Sequence, residues 1–142
     1  MNVFEFLKEY LKNNGLMSQF LINTDFNDSE VEHAGLFFNG TKLIGKDICG
    51  NKQYEADFML LSNLQSFNDF DRIQNSDFMF KLTYALDQIE GDPIIEEISG
   101  EKREGIILEV SASNAMAYEV PSGDINDGVV YHLQIKVNYC IY

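Results

Sequence analysis

Gly128-Val129-Val130-Tyr131-His132-Leu133-Gln134-Ile135-Lys136-Val137-Asn138-Tyr139-Cys140-Ile141-Tyr142 closes the chain, and its alternation decides how the rest must be arranged. Val129, Tyr131, Leu133, Ile135, Val137, Tyr139 and Ile141 hold the odd positions, while His132, Gln134, Lys136 and Asn138 hold even ones. A period of two puts the apolar set on one face of an extended chain, and no helical register gathers those residues on one side. Such a strand cannot satisfy its own backbone groups. It must pair with strands laid down earlier, which also have to cover its apolar face.

The nearest partner is the segment just before it. Ile106, Leu108, Val110 and Ala112 face one way and Ile107, Glu109, Ser111 and Ser113 the other, with Met116, Tyr118 and Val120 continuing the first face. Pro121-Ser122-Gly123-Asp124 and Asn126-Asp127-Gly128 form a loop between the two strands, predicting an antiparallel hairpin. Further upstream, Phe78, Leu82, Ala85, Leu86 and Ile89 recur at helical spacing after a cap-like Asn75-Ser76-Asp77 and stop at Gly91-Asp92-Pro93. Tyr131, Leu133, Ile135 and Val137 are expected to pack beneath Phe78, Leu82 and Leu86.

At the start of the chain, Val3, Phe6, Leu7, Tyr10 and Leu11 mark a helix that Asn2 can cap and Asn13-Asn14-Gly15 ends. Phe20-Leu21-Ile22 suits a short strand, and residues 26–30 a polar loop. Val31 to Phe38 reads as extended up to a turn at Asn39-Gly40. Lys42 to Ile48 and Lys52 to Leu61 follow as two strands joined at Cys49-Gly50-Asn51. Ser66-Phe67-Asn68-Asp69 resembles a capping box opening a further helix with Phe67, Phe70 and Ile73 on one face. Ile94 to Glu104 is an acidic connector with a turn at Ser99-Gly100. The expected class is therefore α+β, a mostly antiparallel sheet covered by two or three helices in a single domain spanning 1–142.

With 142 residues, 45% of them hydrophobic, the chain is long enough to bury a core without disulfides or metal. No secretory signal or long apolar run is present, so a cytoplasmic site of assembly and two reduced cysteines, Cys49 and Cys140, are expected. The net charge of -13 argues against non-specific binding to nucleic acid. Charge is also uneven. Asp87 to Glu104 is acidic apart from Lys102 and Arg103, whereas Gly40 to Lys52 carries Lys42, Lys46 and Lys52 against Asp47 alone. Solvated loops and a partner-facing role both account for this.

Catalytic and metal motifs are missing: there is no glycine-rich phosphate loop, GxSxG, CxxC or HExxH. His132 and Cys140 would lie about 26 Å apart on one strand and cannot share a metal. Asp25 to Glu30 lacks the glycine and terminal glutamate of a calcium loop. Asp69 with Asp71, and Glu96 with Glu97, are read as solvated acids rather than a hydrolytic pair. The expectation is a protein that is not an enzyme and has no cofactor.

Several strings resemble the tail terminator, or tail completion, proteins of phages and phage-tail-like particles of Gram-positive bacteria. They are Phe20-Leu21-Ile22-Asn23-Thr24-Asp25, Gln53-Tyr54, Gln74-Asn75-Ser76-Asp77-Phe78, Val110-Ser111 and the run from Asp127 to Ile135. Asp77 and Val130 depart from the family pattern, which has glycine and arginine there, and residues 26–38 match it poorly. The resemblance implies a structural subunit, made in the bacterial cytoplasm, of a hexameric ring that caps a tail tube, ends its polymerisation and joins it to the neck. Its partners would be itself, the tail tube protein, and sheath and neck proteins, in a virion or a tail-like bacteriocin, with no membrane and no sequence-specific nucleic acid. A ring needs two different patches that meet head to tail. The candidates are the hairpin bearing Lys42, Leu43, Ile44, Lys46, Ile48 and Lys52, and the acidic connector with Glu96, Glu97, Glu101 and Glu104. The competing function is a monomeric acidic binder, an immunity protein or DNA mimic, which needs carboxylates ordered along one face.

Overall fold

The computed structural model describes residues 1–13, 15, 17, 20–25, 33–65, 69–120, 123 and 128–142. In chain order the elements are α1 (Val3–Asn13), β1 (Leu21–Thr24), β2 (His33–Lys46), β3 (Lys52–Leu64), α2 (Asp69–Leu86), β4 (Pro93–Ile98), β5 (Glu101–Glu119) and β6 (Val129–Ile141). The expected polar loop at 26–30, most of the capping box at 66–69 and most of the loop at 121–127 lie outside the described residues.

The six strands form one sheet in the order β1-β2-β3-β6-β5-β4. β6 sits inside it, with Leu133 opposite Leu60 on β3 and Val137 opposite Val110 on β5, both antiparallel. The odd-numbered residues of β6 are buried, and Tyr131, Leu133, Ile135 and Val137 share one apolar cluster with Leu82 and Leu86 of α2, against which Phe78 packs. α1 closes another part of this core. Val3, Leu7 and Leu11 are buried, and Phe4 meets Phe58 of β3 edge to face at 5.6 Å. Tyr10 donates its hydroxyl to the Ala85 carbonyl at 2.9 Å, tying α1 to the last turn of α2.

The α+β class expected from sequence is overturned. Strands make up 57% of the molecule and helices 23%, two of them among the described residues, so the sheet, curled into a mixed half-barrel, encloses much of the core itself. The sheet is mixed because β1 runs parallel to β2. Segments expected to be turns or connectors are strand. Asn39-Gly40 does not reverse the chain; Gly40 has φ 128° and sits at a register shift between Phe38 and Gly40, so β2 runs on for 14 residues. Bulges of this kind add local twist, and twist accumulated over long strands curls a sheet. The acidic connector is likewise an ordered hairpin. β4 pairs with the start of β5 across Ser99-Gly100, where both residues have positive φ, the geometry of a two-residue hairpin turn.

Of the two or three helices expected, two form among the described residues. Asn75-Ser76-Asp77 starts no new helix but lies within α2, where Asn75 donates its side-chain amide to the Gln65 carbonyl at 2.6 Å. The second half of α2 is not simply amphipathic either. Met79, Leu82 and Leu86 are buried, yet Phe70, Ile73, Phe80 and Tyr84 are each more than half exposed. At 100° per residue these four fall within an arc of about 80° on the side opposite the buried set. α2 therefore carries an apolar stripe on its outer surface.

Candidate interaction surface

The candidate lysines belong to the hairpin of β2 and β3. Lys42 and Lys46 are exposed on β2, Lys52 opens β3, and Leu43, Ile44 and Ile48 are all exposed, Ile48 completely. The hairpin is not a free arm, because β3 remains paired with β6 as far as Lys52 opposite Ile141. Only the turn from Asp47 to Asn51 stands clear of the sheet. What β2 offers beyond Phe38 is a side edge with no backbone partner among the described residues.

Asp47 builds that turn. Its amide donates to the Asn51 carbonyl at 2.9 Å, and its carboxylate accepts from the Asn51 amide at 2.9 Å and the Asn51 side chain at 3.0 Å. These bonds, the Asn51 backbone amide first, hold the Asp47 carboxyl below its ordinary value. The stabilisation is present above the ordinary aspartate range and is lost only as pH falls through the lowered folded value. Acid titration followed by the Asn51 amide resonance should therefore show the turn surviving through the ordinary aspartate range and opening below it. A midpoint at the ordinary value would show that these bonds do not form. Cys49 is exposed in the same turn, whereas Cys140 is buried and burial pushes its thiol up.

Charge at the hairpin base is arranged with one conflict. Lys42 faces Glu55 across the strands at 3.6 Å, but Lys46 stands directly opposite Lys52. Like charges opposed on neighbouring strands oppose folding. An anionic partner would relieve that repulsion.

The acidic residues are distributed differently from the sequence expectation. Glu96 is half-buried and turned to α1, where its carboxylate accepts the Val3 amide at 2.8 Å and so completes the helix N-terminus. Asn2 and Glu5 supply the rest of that cap, with the Glu5 amide bonded to Asn2 Oδ1 at 2.8 Å and the Asn2 amide to Glu5 Oε2 at 3.3 Å. Glu96 is thus a folding residue, a role hidden in the sequence by the 93 positions separating it from its partner. Glu97, Glu101 and Glu104 are exposed, and Glu97 is in register with Lys102.

The two candidate patches end at the same level of the sheet, since Lys46, Lys52, Ile141 and Gly105 occupy one rung. There a cleft of about 200 Å³ is lined by Gly50, Lys52, Ile98, Arg103 and Tyr142 among others. It contains no arrangement of acid, base and nucleophile. Among the described residues no three His, Cys, Asp or Glu side chains gather in a metal-binding group, and no helix is long and apolar enough to cross a membrane. Asp69 of the acid pair considered above has its side chain outside the described set. His132 is half-buried, stacks on Tyr118 with ring centroids 5.7 Å apart, and has Nδ1 3.1 Å from the Asn114 carbonyl.

No known family model and no curated protein matches the sequence.

Proposed function

We propose that the protein is a structural subunit of a homo-oligomeric ring that caps a tail tube, ends its growth and joins it to the neck of a phage or phage-tail-like particle. The observation that carries this reading is the hairpin end, where exposed Leu43, Ile44 and Ile48 surround lysines that repel one another within the subunit. Apolar contact supplies affinity, while charge sets orientation and salt sensitivity. The receiving surface on the next subunit includes Glu97, Glu101 and Glu104, with Glu96 held back by α1. The resemblance of the strings from Phe20 to Asp25 and from Asp127 to Ile135 to tail terminators supplies the tail-tube and neck partners.

Lys46→Glu separates folding from assembly, because it converts the Lys46 and Lys52 repulsion into an attraction inside the subunit. The variant should melt at or above the parent temperature yet assemble more weakly, by up to about fivefold per ion pair removed at each junction, since a rim pair contributes about 0 to 1 kcal/mol. Ile48→Asp should weaken assembly further and leave the fold unchanged. Native mass spectrometry across a concentration series, with and without tail tube protein, reads both variants. A parent that stays monomeric under every condition would sink the ring, and undiminished assembly of both variants would remove this surface from it.

A further inference from the structure

We infer that neighbouring copies join by continuing the sheet, the open edge of β2 in one copy pairing antiparallel with the open edge of β5 in the next. This rests on the ring reading above and specifies its contact. β1 covers β2 only from His33 to Leu36; the Asp25 amide then donates to the Leu36 carbonyl, and Asp25 Oδ1 accepts the Phe38 amide. Beyond Phe38, the outward backbone groups of Asn39 to Lys46 have no partner among the described residues. On the other side β4 covers β5 from Glu101 to Ile106, and Gly91 and Asp92 bond to Ile107. Apart from Asn114, whose carbonyl lies 3.1 Å from His132 Nδ1, the outward backbone groups from Leu108 to Tyr118 are similarly without a partner among the described residues. The β4 edge differs, because the Met1 carbonyl already accepts the Ile95 amide.

Two unpaired edges at opposite sides of one sheet are templates for each other. Each neighbouring pair from β2 through β3 and β6 to β5 is antiparallel, so β2 and β5 run in opposite directions. A copy rotated about an axis inclined to the strands keeps those directions and is offset along them, which lifts Lys46 off the Gly105 rung that β4 covers, and its β2 therefore meets β5 antiparallel. The contact is heterologous, and the sheet's existing curl turns successive copies in one sense, as closure requires. Charge agrees with the pairing. The β2 edge carries Lys42 and Lys46 without an acid, and the β5 edge carries Glu109 without a base. Beside the β5 edge, Met79, Phe80, Ala115, Met116 and Ala117 help to line a hollow of about 220 Å³.

The test combines hydrogen exchange with cross-linking in a Cys49→Ser background. Amides of 39–46 and 108–118 should slow at least tenfold between dilute monomer and concentrated multimer. Thr41→Cys protein mixed with Ser111→Cys, Ser113→Cys or Ala115→Cys protein should give an oxidised heterodimer at one of the three positions, while Thr41→Cys alone gives none. Within one chain β2 and β5 are three strand spacings apart, about 14 Å, too far for a disulfide. A multimer by native mass with unchanged exchange at both edges and no link at any position would overturn the edge pairing and leave the ring standing. A protein monomeric throughout would overturn both.

Discussion

Gly105→Ala should unfold much of the population at temperatures the parent tolerates. A Cβ built on Gly105 clashes with the Cys140 carbonyl oxygen and lies 2.8 Å from Ile141 Cδ1, so accommodating it means moving the backbone of β6. Overpacking into a well-filled site costs about 1 to 3 kcal/mol. Here a main-chain atom must give way at the rung where β5 meets β6, and the cost should lie at the upper end of that range, about 3 kcal/mol. Gly45→Ala is the control. It has nothing within 4 Å of the added methyl and no positive φ, and should leave stability unchanged within about 1 kcal/mol. Urea denaturation of both variants checks the contrast. Equal stabilities would show that the β5 and β6 backbones do not pack this closely.

Leu133→Ala should be comparably severe for the opposite reason, a void instead of a clash. Leu133 has no exposed surface, lies on the central strand and belongs to the cluster that joins β3, β5 and α2. Truncating a leucine in such a place costs about 2 to 5 kcal/mol. Phe80→Ala, which removes a larger side chain from the outer stripe of α2, should change stability by no more than about 0.5 kcal/mol. If Leu133→Ala proved as mild as Phe80→Ala, the assignment of the odd-numbered face of β6 to the core would be wrong.

These positions were unequally legible from sequence. The alternation from Val129 to Ile141 is a local signal strong enough to place β6 and its buried face, and the spacing of Val3, Leu7 and Leu11 did the same for α1. Asn39-Gly40 misled because glycine accommodates both a hairpin turn and a bulge in a continuing strand, and nothing nearby distinguishes them. Asn75-Ser76-Asp77 misled in a related way. Residues that cap helices also occur inside one when tertiary packing, here of Met79, Leu82 and Leu86, favours continuation. The class was missed through these substitutions of strand for turn and of one helix for two.

For the candidate surface, charge patterning located the lysine hairpin, but it treated all acidic residues as equivalent. The separation of Glu96, bonded to α1, from exposed Glu97 follows from strand alternation once the connector is known to be β4. The stretches of β2 and β5 that lack an outer partner among the described residues could not be read at all. Which edge lacks a neighbour depends on strand order, and that order is set by long-range pairing of β3 and β5 with a strand that comes after both.

The late position of β6 in the chain has a consequence for biosynthesis. Synthesis delivers β1, β2 and β3 first and β4 and β5 later, yet these two groups are joined in the sheet through β6. Until β6 emerges, the edges of β3 and β5 that it will occupy have no strand to pair with. Non-local pairing of this kind folds slowly, and unpaired edges invite misassociation in the interval. Arrival of β6 fills both inner edges in one step and leaves the outer pair on opposite sides of a single curved sheet. On the edge-pairing proposal, the order of synthesis thus delays presentation of the two outer edges until β6 is in place.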